Sequence, residues 1–280
     1  MPTALPRERG VAKGTGHCQE DRMRYIDRLI MVISVVTGGL ALSLMLEAPL
    51  VWLLGAILII TVCIGTDQIV HSHWRVSLRR KRYVLTLWIL PALQVLGAFL
   101  FLRLPLFSTG VAVVGGLLVT ALLLSVVIIC EYHTIDPDDS LYSIARFSLN
   151  LIAYLTAFSL YTAIYSTKVR SIFSASAILI ISALVALELL RGTERGVRRT
   201  WLYALITGVI LGEITWALNY WVISGLVGGL FLLLSLYLTT GVIQSYLLYR
   251  LSRRLVAEYA IVALVGLMLT LTTGSWLQTT

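Results

Sequence analysis

Charged residues are scarce in this chain. Only 13% of its 280 residues are charged, 58% are hydrophobic, and the mean hydropathy is +0.89. A soluble globular domain is about one quarter charged, and a chain this apolar would expose large apolar patches to water. The composition therefore excludes an ordinary soluble domain and indicates a protein whose apolar surface faces lipid.

Cysteine and histidine are also few. The three cysteines, Cys18, Cys63 and Cys130, form no CxxC pair, and two of them lie inside apolar runs, so no disulfide framework is expected. None of the four histidines lies in the middle of an apolar run, which argues against haem ligation. The sequence contains no P-loop, GxSxG or HExxH motif. We therefore predict no cofactor. Whether the protein is an enzyme stays open, and the lack of a catalytic motif argues against it.

The net charge of +8 lies in short clusters between the apolar runs. A nucleic-acid-binding protein concentrates such charge on a soluble surface, so no nucleic-acid partner is expected. Anionic lipid and membrane topology explain the clusters better. The expected partners are the lipid bilayer and other membrane proteins.

Nine apolar segments approach the length of about 20 residues that a helix needs to cross a bilayer. The sequence therefore predicts an all-α, polytopic transmembrane helical bundle over residues 28–280. Residues 1–27 are predicted to form a disordered, basic cytoplasmic tail, and translation starts at Met1 or at Met23. The predicted spans are 28–46, 50–69, 84–102, 108–131, 142–165, 172–190, 201–219, 225–248 and 259–277.

The basic residues predict the orientation of the nine spans. If the N-terminus lies inside, the inner segments, counted with Arg28, hold 18 of the 22 Lys and Arg residues. The outer segments hold only Arg103, Lys168 and Arg170, while Arg146 lies in the fifth span. Because basic residues are enriched in cytoplasmic loops, the N-terminus is predicted inside and the C-terminus outside.

Glu213 is the leading candidate for a functional residue because it lies deep in the seventh span. An ionisable residue inside a membrane is costly and is a functional hypothesis by default. Glu213 is either a proton or cation site, or a carboxyl that is hydrogen-bonded to a neighbouring helix. Both interpretations stay open.

Other polar residues at similar depth form a second hypothesis. Gln94, Asn150 and Tyr154 could meet Glu213 in one polar intramembrane cluster, although single amides are also common contacts between helices. Arg146 lies nearer the inner face, where it could reach water or pair with an acid.

Small residues predict close helix contacts in the second half of the chain. Gly208 and Gly212 form a GxxxG pair, a spacing that lets two helix backbones approach each other closely. Gly225 and Gly229 repeat the spacing in the next span.

The inner side of the predicted bundle carries weak candidates for metal ligands. Asp67 and His71 are four residues apart, and His133 follows the fourth span. These residue types bind Zn²⁺ or Mg²⁺, but their spacing matches no metal motif, so we predict no metal site.

The most characteristic stretch is Gly212-Glu-Ile-Thr-Trp-Ala-Leu-Asn-Tyr-Trp221, followed by Ser-Gly-Leu-Val-Gly-Gly229. Together with Ala186-Leu-Glu-Leu-Leu-Arg191, it resembles an uncharacterised family of bacterial multi-pass membrane proteins. Val222 stands where the family is expected to have a proline. The resemblance covers the second half of the chain and implies a bacterial cytoplasmic membrane, but no activity.

The sequence is consistent with three functions. The short loops and the lack of a catalytic motif favour a non-enzymatic subunit or scaffold of a membrane protein complex. The second hypothesis is a transporter for a small solute or a lipid, with proton coupling at Glu213. The third and weakest is an intramembrane, metal-dependent enzyme.

Overall fold

The computed structural model describes residues 14–47, 49–71, 87–134, 140–167, 170–191, 197–221, 223–248, 257–262 and 264–268. All regular structure in these ranges is helical, as the composition predicts. A short 3₁₀ helix spans Pro105–Phe107. The helices are α1 (Gly14–Ser43), α2 (Leu50–His71), α3 (Ile89–Phe101), α4 (Gly110–His133), α5 (Tyr142–Ser166), α6 (Ser171–Leu190), α7 (Val197–Leu218), α8 (Gly225–Leu247) and α9 (Ala257–Met268).

Seven of the described helices are long and apolar enough to cross a membrane. The two others, α3 and α9, have 13 and 12 residues, which is about 20 Å and 18 Å of helix. The third predicted span, 84–102, starts within residues 72–86, which lie outside the described ranges. The predicted end of this span, residue 102, lies one residue beyond the end of α3 at Phe101. The helix stops here because Pro105 lacks an N–H group and begins a 3₁₀ turn. The ninth predicted span, 259–277, extends past the last described residue.

The predicted disordered tail is wrong for residues 14–27, because α1 already begins at Gly14. The Gly and Pro residues that indicated disorder stop at Gly16, and the residues that follow include the helix formers Gln, Glu, Arg and Met. Residues 1–13 of the predicted tail lie outside the described ranges.

Two helices begin at hydroxyl residues that bind the first turn. The Thr109 side chain accepts a hydrogen bond from the amide of Ala112 at the start of α4, and Ser224 accepts one from Val227 at the start of α8. These oxygens satisfy backbone donors that have no partner within the helix. Within the helices, hydroxyls such as Thr66 donate back to a carbonyl four residues earlier, so they need no partner from solvent.

Contacts between helix ends show that the helices run in alternating directions. At one end of the bundle, called the Glu188 end, Arg146 at the start of α5 binds Glu188 at the end of α6. Gln244 near the end of α8 donates to the Leu189 carbonyl at the same end. At the other end, called the Tyr165 end, the Tyr165 hydroxyl donates to the Leu218 carbonyl at the end of α7, a distance of 2.8 Å.

Contacts also show how the two short helices lie. Gly97 of α3 lies against Leu160 and Ser159 of α5, and Arg103 after α3 donates to the Ser43 carbonyl at the end of α1. The end of α3 therefore lies beside the end of α1. For α9, Gly241 of α8 lies against Tyr259 while Gly266 lies against Leu234. Since residue numbers rise along α9 as they fall along α8, these two helices are antiparallel.

Among the described residues, two large apolar cores join most of the helices. The larger core surrounds α5 and includes Leu149, Ala153, Leu160 and Tyr161, with partners from α3, α4, α6, α7 and α8. The smaller core joins α1 and α2 to α3 and α4. Because α3 and α4 contribute to both cores, they connect the two halves of the protein.

The glycine pairs lie at close contacts between helices. A Cβ atom added at Gly208 would come within 2.6 Å of the Leu179 carbonyl oxygen of α6, and one at Gly212 would lie 3.1 Å from the Leu179 Cβ atom. On α8, Gly225 lies against Ser166 of α5, and Gly229 lies against Thr162 of α5. The first pair therefore joins α7 to α6, and the second joins α8 to α5.

Replacing Gly208 with Ala should destabilise the protein, because the added methyl group would meet a backbone atom that cannot rotate away. We expect a loss of about 1–3 kcal/mol, as for other overpacked sites. The matched control is Gly115→Ala on α4, where an added Cβ meets nothing within 4 Å. That change should raise stability by about 0.5–1 kcal/mol through helix propensity. Thermal unfolding midpoints in detergent would test this, and equal midpoints for the two variants would contradict it.

Candidate functional site

Four charged side chains meet where α4, α5 and α6 come together at the Glu188 end. The Arg191 guanidinium lies 2.9 Å from the Glu131 carboxylate and 3.2 Å from the Glu188 carboxylate. The Arg146 guanidinium lies 3.1 Å from the same Glu188 oxygen and donates a 2.7 Å hydrogen bond to the Glu188 backbone carbonyl. We call these four residues the charge cluster.

The charge cluster is almost entirely removed from solvent. The side chains of Glu131 and Glu188 are 0% and 1% exposed, and those of Arg191 and Arg146 are 10% and 13% exposed. Burial alone would lower the pKa of Arg191, but the carboxylates of Glu131 and Glu188 outweigh it and raise that pKa. Arg191 therefore keeps its positive charge beside the two carboxyl groups. By formal charge, the cluster contains two acids and two bases.

Local structure explains why these residues can meet. Glu131 and Glu188 lie in the last turns of α4 and α6, Arg191 follows α6 directly, and Arg146 lies in the second turn of α5. The last carbonyls of a helix lack partners within it, and cations near this end interact favourably with the helix dipole. Arg146 and Arg191 therefore neutralise the two glutamates and also stabilise the end of α6.

Sequence reasoning identified one of these four residues as a candidate. Arg146 was expected to reach water or to bind an acid, and it binds Glu188. Glu131 is not a sequence candidate, and Glu188 and Arg191 belong only to the stretch that resembles the family. One signal could have revealed the cluster: Glu131, Arg146 and Glu188 all fall within the end turns of predicted spans on one side of the membrane, where unpaired charges are costly.

One carboxylate oxygen of each glutamate remains without a hydrogen-bond partner among the described residues: Glu131 Oε1 and Glu188 Oε2. The balance of two acids against two bases leaves no excess negative charge to attract a cation. The arrangement is suited to holding three helices at one depth. Neutral, buried ion pairs of this kind need every partner in place, because removing one leaves an uncompensated charge.

The residues considered as metal ligands do not form a site in the described part of the chain. His133 stacks edge-on against Tyr132, with ring centroids 5.7 Å apart, and Asp67 is half-buried on α2. The side chain of His71 lies outside the described residues. Among the residues that the structure describes, no group of three or more His, Cys, Asp or Glu could hold a metal ion.

Among the described residues, no hydrogen bond joins two members of the predicted polar intramembrane cluster. The Tyr154 hydroxyl lies 3.2 Å from the Thr240 hydroxyl, and its ring meets Tyr237 edge-on. Gln94 is buried on α3, and neither of its amide atoms has a hydrogen-bond partner among the described residues. Asn150 is half-buried on α5. Arg146 belongs to the charge cluster.

Glu213 does not lie in a buried cluster, because its side chain is exposed on the outside of α7. Its exposure has a geometric reason. Gly208 and Gly212 turn one face of α7 toward α6, and Glu213 is one residue beyond Gly212, which rotates it about 100° away from that contact.

The exposed surface around Glu213 is apolar. We define the α7 outer face as the exposed residues of this helix between its two ends. Glu213 is the only charged residue between positions 201 and 217. The members of the face are Trp201, Leu202, Leu205, Ile206, Val209, Ile210, Glu213, Trp216 and Ala217.

Replacing either arginine of the charge cluster with Met should reveal unequal roles. Arg191→Met removes the ion-pair partner of Glu131 and should cost about 3–5 kcal/mol, as for other broken buried pairs. Arg146→Met should cost less, because Glu188 keeps its contact with Arg191. Free energies of unfolding from denaturant titration in mixed micelles would rank the two variants. An equal or reversed ranking would contradict the assigned geometry.

No curated protein matches the chain, and no solved structure matches it. A family model described as "Protein of unknown function (DUF5656)" matches residues 29–273. The match runs from the apolar part of α1 to beyond α9, and is therefore wider than the second-half resemblance seen in the sequence. The chain belongs to the family of proteins of unknown function DUF5656.

Proposed function

We propose that this protein is a non-enzymatic subunit or scaffold of a membrane protein complex, and that the α7 outer face receives a transmembrane segment of a partner. One observation is the basis of the proposal: Glu213 lies exposed in the middle of an otherwise apolar surface. A carboxyl group that faces lipid is costly, whereas the same group facing a partner helix can form a hydrogen bond.

The proposal includes nine crossings of a bacterial cytoplasmic membrane, with the N-terminus inside and the C-terminus outside. The alternating directions of α5 to α9 support this count, and the contact of Arg103 with Ser43 places the ends of α3 and α1 on the same side. The distribution of Lys and Arg supports the orientation. The bacterial membrane rests on the family resemblance noted in the sequence.

Labelling of single cysteines in intact cells would test whether α3, which has only 13 residues, crosses the membrane. If α3 crosses the membrane, Ser108, after α3, lies outside and Ser140, before α5, lies inside. In a background without Cys18, Cys63 and Cys130, a membrane-impermeant maleimide should label Ser108→Cys directly. Ser140→Cys should be labelled only after permeabilisation. Protection of Ser108→Cys would show that α3 does not cross.

The depth of Glu213 places it well inside the apolar part of α7. It lies about 18 Å along the helix from Trp201 and about 10 Å from Tyr220, at 1.5 Å per residue. Both aromatic residues are exposed, and aromatic side chains of this kind mark the two membrane interfaces. A glutamate side chain is too short to span either distance, so its carboxyl group meets lipid or a partner.

The same exposure weakens proton coupling at Glu213 as part of a transport pathway within one chain. A coupling carboxyl should face a water-filled path between helices, whereas Glu213 faces away from the helices that surround α5. The half of α7 that faces inward is occupied by its contacts with α6, through Gly208 and Gly212.

Site-specific photocrosslinking would test the proposed partner surface. A photoreactive phenylalanine at Val209, one turn from Glu213 on the α7 outer face, should form a protein adduct in native membranes. The adduct should be lost with Glu213→Leu, which removes the polar group, and kept with Glu213→Gln, which still donates and accepts hydrogen bonds.

The matched control is the same photoreactive residue at Ile180, an exposed apolar position on α6. This position should label lipid without a defined protein adduct. Similar adducts at both positions, or an adduct at Val209 that survives Glu213→Leu, would contradict the proposed surface.

A further inference from the structure

We infer that the occupant of the α7 outer face is a second copy of this chain, whose Glu213 carboxyl group pairs with that of the first. This inference rests on the proposed function and names its partner. It uses three features of the described residues: the position of Glu213, the apolar character of the surrounding face, and the commitment of the glycine pair to α6.

In a symmetric pair of chains, Glu213 of one copy can face Glu213 of the other. Two copies of a protein inserted the same way in one membrane are related by an axis along the membrane normal, and closed twofold pairs are the commonest assemblies. Such an axis places both copies of α7 side by side, parallel, with equal residues at equal depth. The two Glu213 side chains therefore meet if the α7 outer faces meet.

The chemistry of the carboxyl group favours this partner over a cationic helix. A neutral carboxyl group has one O–H donor and accepting oxygens, so two of them can donate to each other without any net charge. A lysine or arginine on a partner would require two full charges in the hydrocarbon region, each of which loses its hydration. A second copy supplies the matching group at the right depth.

The residues around Glu213 fit a helix contact made by larger side chains. Val209 and Ile210 lie one turn before it and Trp216 nearly one turn after it, and all three are exposed. The close-approach surface of α7 is already used, since Gly208 and Gly212 lie against α6. The two α7 helices would thus pack through side chains, with the carboxyl pair at the centre of an apolar strip.

Disulfide trapping in native membranes would test the inference. The full chain, without Cys18, Cys63 and Cys130, receives a single cysteine at Val209 or Ile210, and two differently tagged copies are expressed together. Mild oxidation should produce a disulfide-linked dimer that contains both tags. The same cysteine at Ile180 on α6 should give none.

Glu213 variants provide the second measurement. In detergent, Glu213→Leu should raise the dissociation constant of the dimer about 3- to 30-fold, the usual range for a lost hydrogen bond between membrane helices. Glu213→Gln should stay close to the parent chain, since amides also pair with each other. A dimer that is unaffected by Glu213→Leu would overturn the carboxyl pair.

The outcomes separate this inference from the proposed function. A linked dimer at Val209 or Ile210 that contains both tags supports both. A Glu213-dependent photoadduct at Val209 with a different protein, and no linked dimer, overturns the second copy while leaving the subunit role. No protein adduct and no linked dimer on the α7 outer face overturns both.

Discussion

The ion pairs among Glu131, Arg146, Glu188 and Arg191 determine how far the central helices can slide past one another. A shift of α4 or α5 by one turn against α6 would move its charge by about 5.4 Å, which is enough to break contacts of 2.9–3.2 Å. In a buried setting that would leave full charges without partners. The outer helices depend on this register indirectly, because α7 is held to α6 by Gly208 and Gly212, and α8 is held to α5 by Gly225 and Gly229.

The helices of this protein could be largely predicted from the sequence because a bilayer imposes a length on every apolar run. The limits appear where that rule does not apply. α1 begins at Gly14, inside a polar segment that composition alone would leave disordered, since helix propensity and apolar length are different properties. At α3, the described helix, Ile89–Phe101, is shorter than the predicted span 84–102, which begins outside the described ranges. The interhelical contacts of α3, such as Gly97 against Leu160, are not encoded in hydropathy.

The polar residues show a sharper limit. Periodicity correctly separates Glu213 from the glycine stripe of α7, but it cannot say whether another helix covers the remaining face. Glu213, Gln94, Asn150 and Tyr154 were predicted to be neighbours because they lie at similar depths in their predicted spans. Residues at equal depth can nevertheless point in different directions around their helices. The charge cluster shows the reverse case. Its members are far apart in sequence and lie near predicted span ends, so each alone resembles an interface residue, and only the packing of α4, α5 and α6 reveals that they pair.

Glu188 and Glu213 give two different solutions to the same physical problem. Glu188 lies in an apolar helix but binds two arginines, so its charge is neutralised within the fold. Glu213 lies in an apolar helix and faces outward, where the described residues offer it no such partner. A leucine at this position would avoid the cost of placing a carboxyl group against lipid, and it would disturb no internal contact, because the side chain is exposed. The contacts within the described part of the fold therefore do not account for a glutamate at position 213. A molecule that packs against α7 would account for it, because it could form a hydrogen bond with the carboxyl group.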